Sequence, residues 1–209
     1  LYPPVDVEKF SSSDRKENII LSVGRFDNIL NAKKQDVLIE AFKKIYQNNR
    51  EINWKLILMG GSRNSPEKNN YLNHLKKLAA SLPIEFIVNP EFDELKQIYS
   101  KSKIYWHAAG FGVDEYLHPE ETEHFGMTVV EAMDSGLVPL VVAKGGLTEI
   151  VTESINGFTW QSIDELVAKT QLLIAAPGEL DKLSKVAHSS SQIFSKENFE
   201  SKFFDLIGQ

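Results

Sequence analysis

Glu123-His124-Phe125-Gly126-Met127-Thr128-Val129-Val130-Glu131-Ala132-Met133 reads as a loop turning into a buried helix, between two short apolar runs, Ile104 to Ala108 and Val138 to Val142. Strand, loop, helix and strand in that order make one unit of a parallel α/β sheet. The helix over Gly126 to Ser135 begins at a glycine that lets another group approach its backbone. Its first N–H groups lack intrahelical partners and stand at the positive end of the helix dipole, so they suit a phosphate. Glu131 falls two turns inside the helix and Glu123 in the loop before it. One acid can take hydroxyls from one part of a ligand and the second from another, with a diphosphate between them.

The pattern repeats outward in both directions. Asn18 to Gly24 and Trp54 to Met59 are further buried strands, the second stopped by Gly60-Gly61, and Pro83 opens a third at Ile84 to Val88. Apolar residues at helical spacing (Val37, Leu38, Ala41, Phe42, Ile45) predict a helix over Lys34 to Tyr46. Helices are also expected over Tyr71 to Leu82, Glu91 to Lys101 and Leu147 to Val151. Ser62 to Asn70 and Ala109 to Thr122 read as loops, Phe158 to Trp160 as a short strand, and Ile163 to Ile207 as two or three helices. Alternation of this kind predicts an α/β, Rossmann-like parallel sheet with helices on both faces. Ligands of such sheets bind outside the carboxyl ends of the strands, where Gly24-Arg25, Val88-Asn89, the loop after Ala108 and Gly145-Gly146 all fall.

Composition narrows the function. The 209 residues suit one large α/β domain, and a net charge of −6 argues against a nucleic-acid module and against electrostatic membrane anchoring by this segment. The absence of cysteine excludes disulfides and thiolate metal sites. No apolar run approaches the roughly 20 residues that span a bilayer. The start, Leu1-Tyr2-Pro3-Pro4-Val5-Asp6-Val7, has neither a signal-peptide pattern nor an initiator Met, and is read as lying inside a longer protein. No Asp-x-Asp metal motif, Walker lysine loop, Gly-x-Gly-x-x-Gly or Ser-His-Asp order is present, so no cofactor or metal is expected.

Arg25 follows a strand-ending glycine, where a guanidinium can grip a diphosphate in bidentate fashion, and Lys33 or Lys34 would add a point charge. On spacing alone these cations also suit a solvated surface, and Glu123 and Glu131 an exposed helix face. Motif order decides between the readings. The Glu-x7-Glu pair resembles the signature of retaining glycosyltransferases of the two-domain GT-B fold, family 4 most of all. Gly24-Arg25-Phe26 with Lys33-Lys34-Gln35-Asp36-Val37-Leu38-Ile39-Glu40-Ala41-Phe42 resembles the family's Gly-Arg…Lys-Gly-x-Asp-x-Leu-Ile-x-Ala-Phe segment. Gly136-Leu137-Val138-Pro139, Gly145-Gly146-Leu147-Thr148-Glu149-Ile150 and Asn156-Gly157-Phe158 resemble the segments that follow it. The resemblance covers nearly the whole chain in the family's order.

That resemblance implies residues 1–209 to be the nucleotide-sugar-binding C-terminal domain, with 1–16 as hinge or leader and 162–209 as a helical tail. An N-terminal acceptor domain is then absent from the chain. Arg25 and Lys33 become the clamp on the departing diphosphate, in place of a metal. Glu123 takes the transferred sugar and Glu131 the ribose. Gly24 and Lys34 stand beside the clamp, Lys34 at a position where the family has glycine, and the insert Asp27 to Ala32 is longer than usual. Backbone groups of Val88 and Asn89 read the nucleobase edge, unless they form only a structural loop. Gly126, Met127 and Thr128 hold sugar and phosphate oxygens next to Phe125. His124 bonds the phosphate or orients the loop. His107 invites a proton-carrying role but is read first as packing, the three tryptophans as core, and Glu149 as the cap of its helix or else a group that positions Lys33.

The implied reaction moves a sugar from a UDP- or GDP-sugar to a glycan or lipid-linked acceptor bound by the missing domain. Trp106-His107-Ala108-Ala109-Gly110-Phe111-Gly112 and its loop resemble a subset acting on lipid-linked or O-antigen-type glycans. The implied location is cytoplasmic, peripheral at the membrane in a full-length protein. Two other classes fit the same frame. A sugar-nucleotide epimerase would release free sugar without an acceptor, and a non-catalytic nucleotide-binding module would tolerate loss of Glu123.

Overall fold

The computed structural model describes residues 1–10, 15–28, 32–62 and 66–208. Six strands, β1 (Ile19–Val23), β2 (Lys55–Gly60), β3 (Ile84–Val88), β4 (Ile104–His107), β5 (Val138–Val142) and β6 (Phe158–Trp160), form one sheet in the order β3-β2-β1-β4-β5-β6. Every pairing is parallel. Chain order reverses between β1 and β4, which opens a crevice at their carboxyl ends.

Apolar residues alternate between the two faces of the central strands, so the sheet separates two cores. Ile20, Leu56, Leu58, Trp106 and Leu140 pack under α1 (Gln35–Asn48), α2 (Pro66–Leu78) and α6 (Ile163–Ala175). Ile19, Leu21, Ile57, Tyr105 and Val141 pack under α3 (Phe92–Lys101), α4 (Met127–Asp134) and α7 (Pro177–Ser191). Helix α1 shows why: its Leu38, Ile39, Ala41, Phe42 and Ile45 recur at i, i+3, i+4 and all are buried. Each large apolar side chain so buried contributes about 1.5–3 kcal/mol. Trp54, Trp106 and Trp160 lie in the core, as expected.

Local bounds differ at several helix ends. Helix α2 starts at Pro66, not Tyr71, because proline favours the first helical turn, and it ends at Leu78 rather than Leu82. Residues 63–65 of the expected loop lie outside the described residues, as do 29–31 of the Asp27 to Ala32 insert. Helix α4 starts at Met127, just after Gly126, and has no side-chain cap. The short α5 (Leu147–Ile150) has no side-chain cap, so Glu149 does not fill that role; its carboxylate instead accepts a hydrogen bond from Tyr2 and raises the pKa of that phenol.

The tail forms α6, α7 and α8 (Lys196–Ile207). The leader returns to it: Val5 N donates to Phe194 O at 2.8 Å, and Asp6 pairs with Lys196 at 3.0 Å. Tyr2, Phe125 and Phe194 pack ring on ring, tying both ends of the chain to the loop before α4.

Candidate active site

A cavity of about 400 Å³ opens over the β1–β4 crevice, lined by Val23, Gly24, Arg25, Lys33, the run from Glu123 to Thr128, and Pro3. Its floor is set by close backbone approaches. A Cβ on Gly24 would fall 2.6 Å from Lys33 Cγ, so only glycine lets the lysine stem lie across the end of β1. Gly146 N donates to Glu123 O at 2.9 Å, and a Cβ at Gly146 would meet His124 O at 2.1 Å. The Gly145-Gly146 pair therefore presses against the backbone that carries Glu123.

Gly126 has φ +101°, a left-handed conformation that disfavours side chains, and gives α4 no side-chain cap. The first N–H groups of α4 are left for a ligand at the positive end of its dipole. Arg25 stands at the rim with its side chain more than half exposed, 3.8 Å from Asp27, while the Gln35 amide donates to its carbonyl at 2.8 Å.

Charge inside the cavity is largely matched. Lys33 Nζ lies 2.5 Å from Glu123 Oε2, both side chains mostly buried. His107 Nε2 lies 3.2 Å from the same oxygen. Burial raises the Glu123 carboxyl, but the pull of its two basic neighbours prevails and holds it well below the usual carboxylate range. Burial keeps His107 itself below its ordinary value, so the ring is neutral at pH 7 and Lys33 is the cation opposite Glu123. Glu131 has no such partner. Desolvation lifts it to about 7, against the opposing hydrogen bond from the buried Tyr99 hydroxyl at 3.1 Å.

Residues 6–189 match the family described as glycosyl transferases group 1. The chain belongs to that family. The Xenopus laevis GDP-Man:Man(3)GlcNAc(2)-PP-Dol alpha-1,2-mannosyltransferase is 32% identical over 220 residues, covering 97% of this chain and 42% of the relative. This group 1 chain thus spans about two fifths of the length of the curated relatives it matches. Among solved structures, the UDP complex of Anabaena Alr3699/HepE superposes with a TM-score of 0.80 at 18% identity, covering 100% of this chain and 56% of that one. The C-terminal domain of the group 1 protein LpcC from Francisella tularensis superposes with a TM-score of 0.69 at 18% identity, over 90% of this chain and 96% of that domain. The fold is therefore the C-terminal, Rossmann-like half of GT-B.

Of the residues singled out in this group 1 chain, Gly24, Arg25, Lys33, Glu123, His124, Phe125, Gly126, Met127 and Thr128 meet at the one cavity. Lys34, Val88, Asn89 and Glu131 do not line it. Lys34 turns into α1 with φ +52°, which accounts for glycine at the matching family position, and it leaves Lys33 as the lysine in the cavity. Asn89 uses its side chain structurally, accepting from Ser62 N at 2.8 Å and donating to Ser62 O at 3.2 Å beside the end of β3. His124 is exposed, 3.3 Å from Pro119 O. Sequence reading preferred packing for His107 over a proton-carrying role. Its place at the last residue of β4, just ahead of the Glu123 loop, was the one available signal of more. His118, Glu120 and Glu121 gather donor atoms within 4.8 Å of one another, but all three are exposed and none lines the cavity.

Proposed function

We propose that this chain is the donor-binding half of a retaining glycosyltransferase. It would take a hexose from a UDP- or GDP-sugar to a glycan or lipid-linked acceptor held largely by residues beyond this chain. One arrangement carries the reading: an uncapped helix N-terminus at Gly126 faces Arg25 and Lys33 across a cavity whose inner wall carries Glu123. The helix end and Arg25 hold the diphosphate, and Lys33 neutralises charge growing on it as the glycosidic bond breaks. Glu123 orients hydroxyls of the transferred sugar, and Glu131, further along α4, takes the ribose. The curated relatives named for GDP-mannose and a lipid-linked acceptor support a guanine nucleotide and that acceptor class, while the UDP-bound neighbours share the fold. By itself the chain would bind donor weakly and transfer little sugar.

Calorimetric titration with UDP and GDP tests this. One of the two should bind, and Arg25→Ala and Glu131→Ala should each weaken it at least about tenfold, the loss of one charge-assisted contact. Binding that neither substitution changes would reject the assignment.

A further inference from the structure

Two basic groups converge on one oxygen. Glu123 Oε2 is 2.5 Å from Lys33 Nζ and 3.2 Å from His107 Nε2, and the groups arrive from different elements, the segment before α1 and the end of β4. They are held very differently. The His107 ring is fixed in the sheet, 2% exposed, and neither of its nitrogens makes an aligned hydrogen bond. Leaving a buried polar group in that state is costly, and a native fold tolerates it where another state of the site uses it. The Lys33 stem lies across Gly24, and the residue lines the cavity itself.

We propose that Lys33 and Glu123 are placeholders for each other in the empty protein, and that a diphosphate draws Lys33 away while His107 takes over as the hydrogen-bond donor to Glu123. His107 is then a positioning residue. It keeps the carboxylate pointed at the transferred sugar once the ion pair has opened. The ligand in this exchange rests on the donor reading above; the exchange of partners on Glu123 does not.

The groups that bear on His107 are Glu123, which favours its protonated form, and Lys33, which opposes it. Tyr105, two residues back on β4, is influenced by Glu131 and Glu123. Withdrawing the ammonium therefore makes His107 more basic. Any proton it gains comes from bulk water, and none passes from Lys33.

Ring-nitrogen NMR reads this directly. The chain has five histidines, and His107→Gln assigns the signal. In Lys33→Met, without any ligand, the His107 titration midpoint should rise by about one pH unit or more, as for loss of a nearby like charge. An unchanged midpoint overturns the exchange. In the unsubstituted protein, inorganic pyrophosphate, which lacks the ribose and so leaves Glu131 without its ligand, should move the midpoint the same way. Pyrophosphate that binds while the His107 signal stays still overturns the exchange and spares the donor reading. If pyrophosphate, UDP and GDP all fail to bind, the donor reading falls and takes the ligand-driven exchange with it.

Discussion

The two ends of helix α4 face opposite ends of the sheet and are finished in opposite ways. At its carboxyl end, by the amino ends of the strands, Lys16 Nζ donates to Ser135 O and to Ser102 O of α3, each at 2.7 Å, and His188 Nδ1 reaches Asp134 O at 2.6 Å. A cation there complements the negative end of two helix dipoles. At its amino end Gly126 offers no cap at all. A larger cavity, about 530 Å³, lies near the closed end, lined by Lys16, Asn18, Trp54 and Lys55. Yet its lysines are already engaged: Lys16 by those carbonyls and Lys55 by Glu85 at 3.2 Å. Size alone is therefore a poor guide to the site. What distinguishes the smaller cavity is the uncapped amino end of α4 beside it, since its Lys33 is itself paired with Glu123.

The closed end can be broken outright. Lys16→Met should lower stability by about 3 kcal/mol at pH 7, since two hydrogen bonds from one charged donor are lost and two carbonyls are stranded. Urea unfolding would show it, whereas nucleotide affinity should stay within about twofold. A drop in affinity matching that from Arg25→Ala would mean the two ends are not independent.

The open end should respond the other way. Glu131 has a folded-state pKa of about 7, above its ordinary carboxylate value, because burial disfavours its charge. The folded protein thus holds a proton that the unfolded chain gives up between about pH 4.5 and 7. Its stability contribution is intact below that window and declines as pH rises through it. Glu131→Gln should accordingly stabilise the protein by roughly 3 kcal/mol at pH 8 and by almost nothing at pH 4, as 1.4 kcal/mol per pKa unit implies. Thermal unfolding at the two pH values checks the sign. If a ribose hydroxyl donates to Glu131, the same substitution costs binding, and binding to the unsubstituted protein releases a proton, strengthening between pH 6 and 8.

The smallest effect concerns Lys34. Its left-handed backbone costs about 1 kcal/mol in a non-glycine residue. Lys34→Gly should return part of that, about 0.5 kcal/mol after the extra flexibility of unfolded glycine is counted, with nucleotide affinity unchanged. Weakened binding would assign Lys34 a share of the clamp.

Much of this was legible in one dimension. Hydrophobic period placed all six strands, and the order of glycine-ended strands put Gly24, Glu123 and Gly126 at the carboxyl edge. Motifs were less informative about why a residue is needed. Asn156 spends its amide on Thr152 N at 2.7 Å and Ile150 O at 3.0 Å, so the Asn-Gly-Phe segment builds a turn and contacts no ligand cavity. Gly145-Gly146 read as a strand end at the carboxyl edge, and its task there is to let the Glu123 backbone come close.

The sequence by itself determined the parallel α/β fold, the carboxyl-edge location of the candidate site and the glycine that opens its helix. All three follow from local rules: period, glycine and the polarity of a helix end. Tertiary structure alone decided that Lys33 rather than Lys34 enters the cavity, that His107 shares an oxygen with it, and that Glu131 sits uncompensated beside Tyr99. Those outcomes depend on distances between residues dozens of positions apart and on how much water reaches them, and neither quantity is written in spacing along the chain.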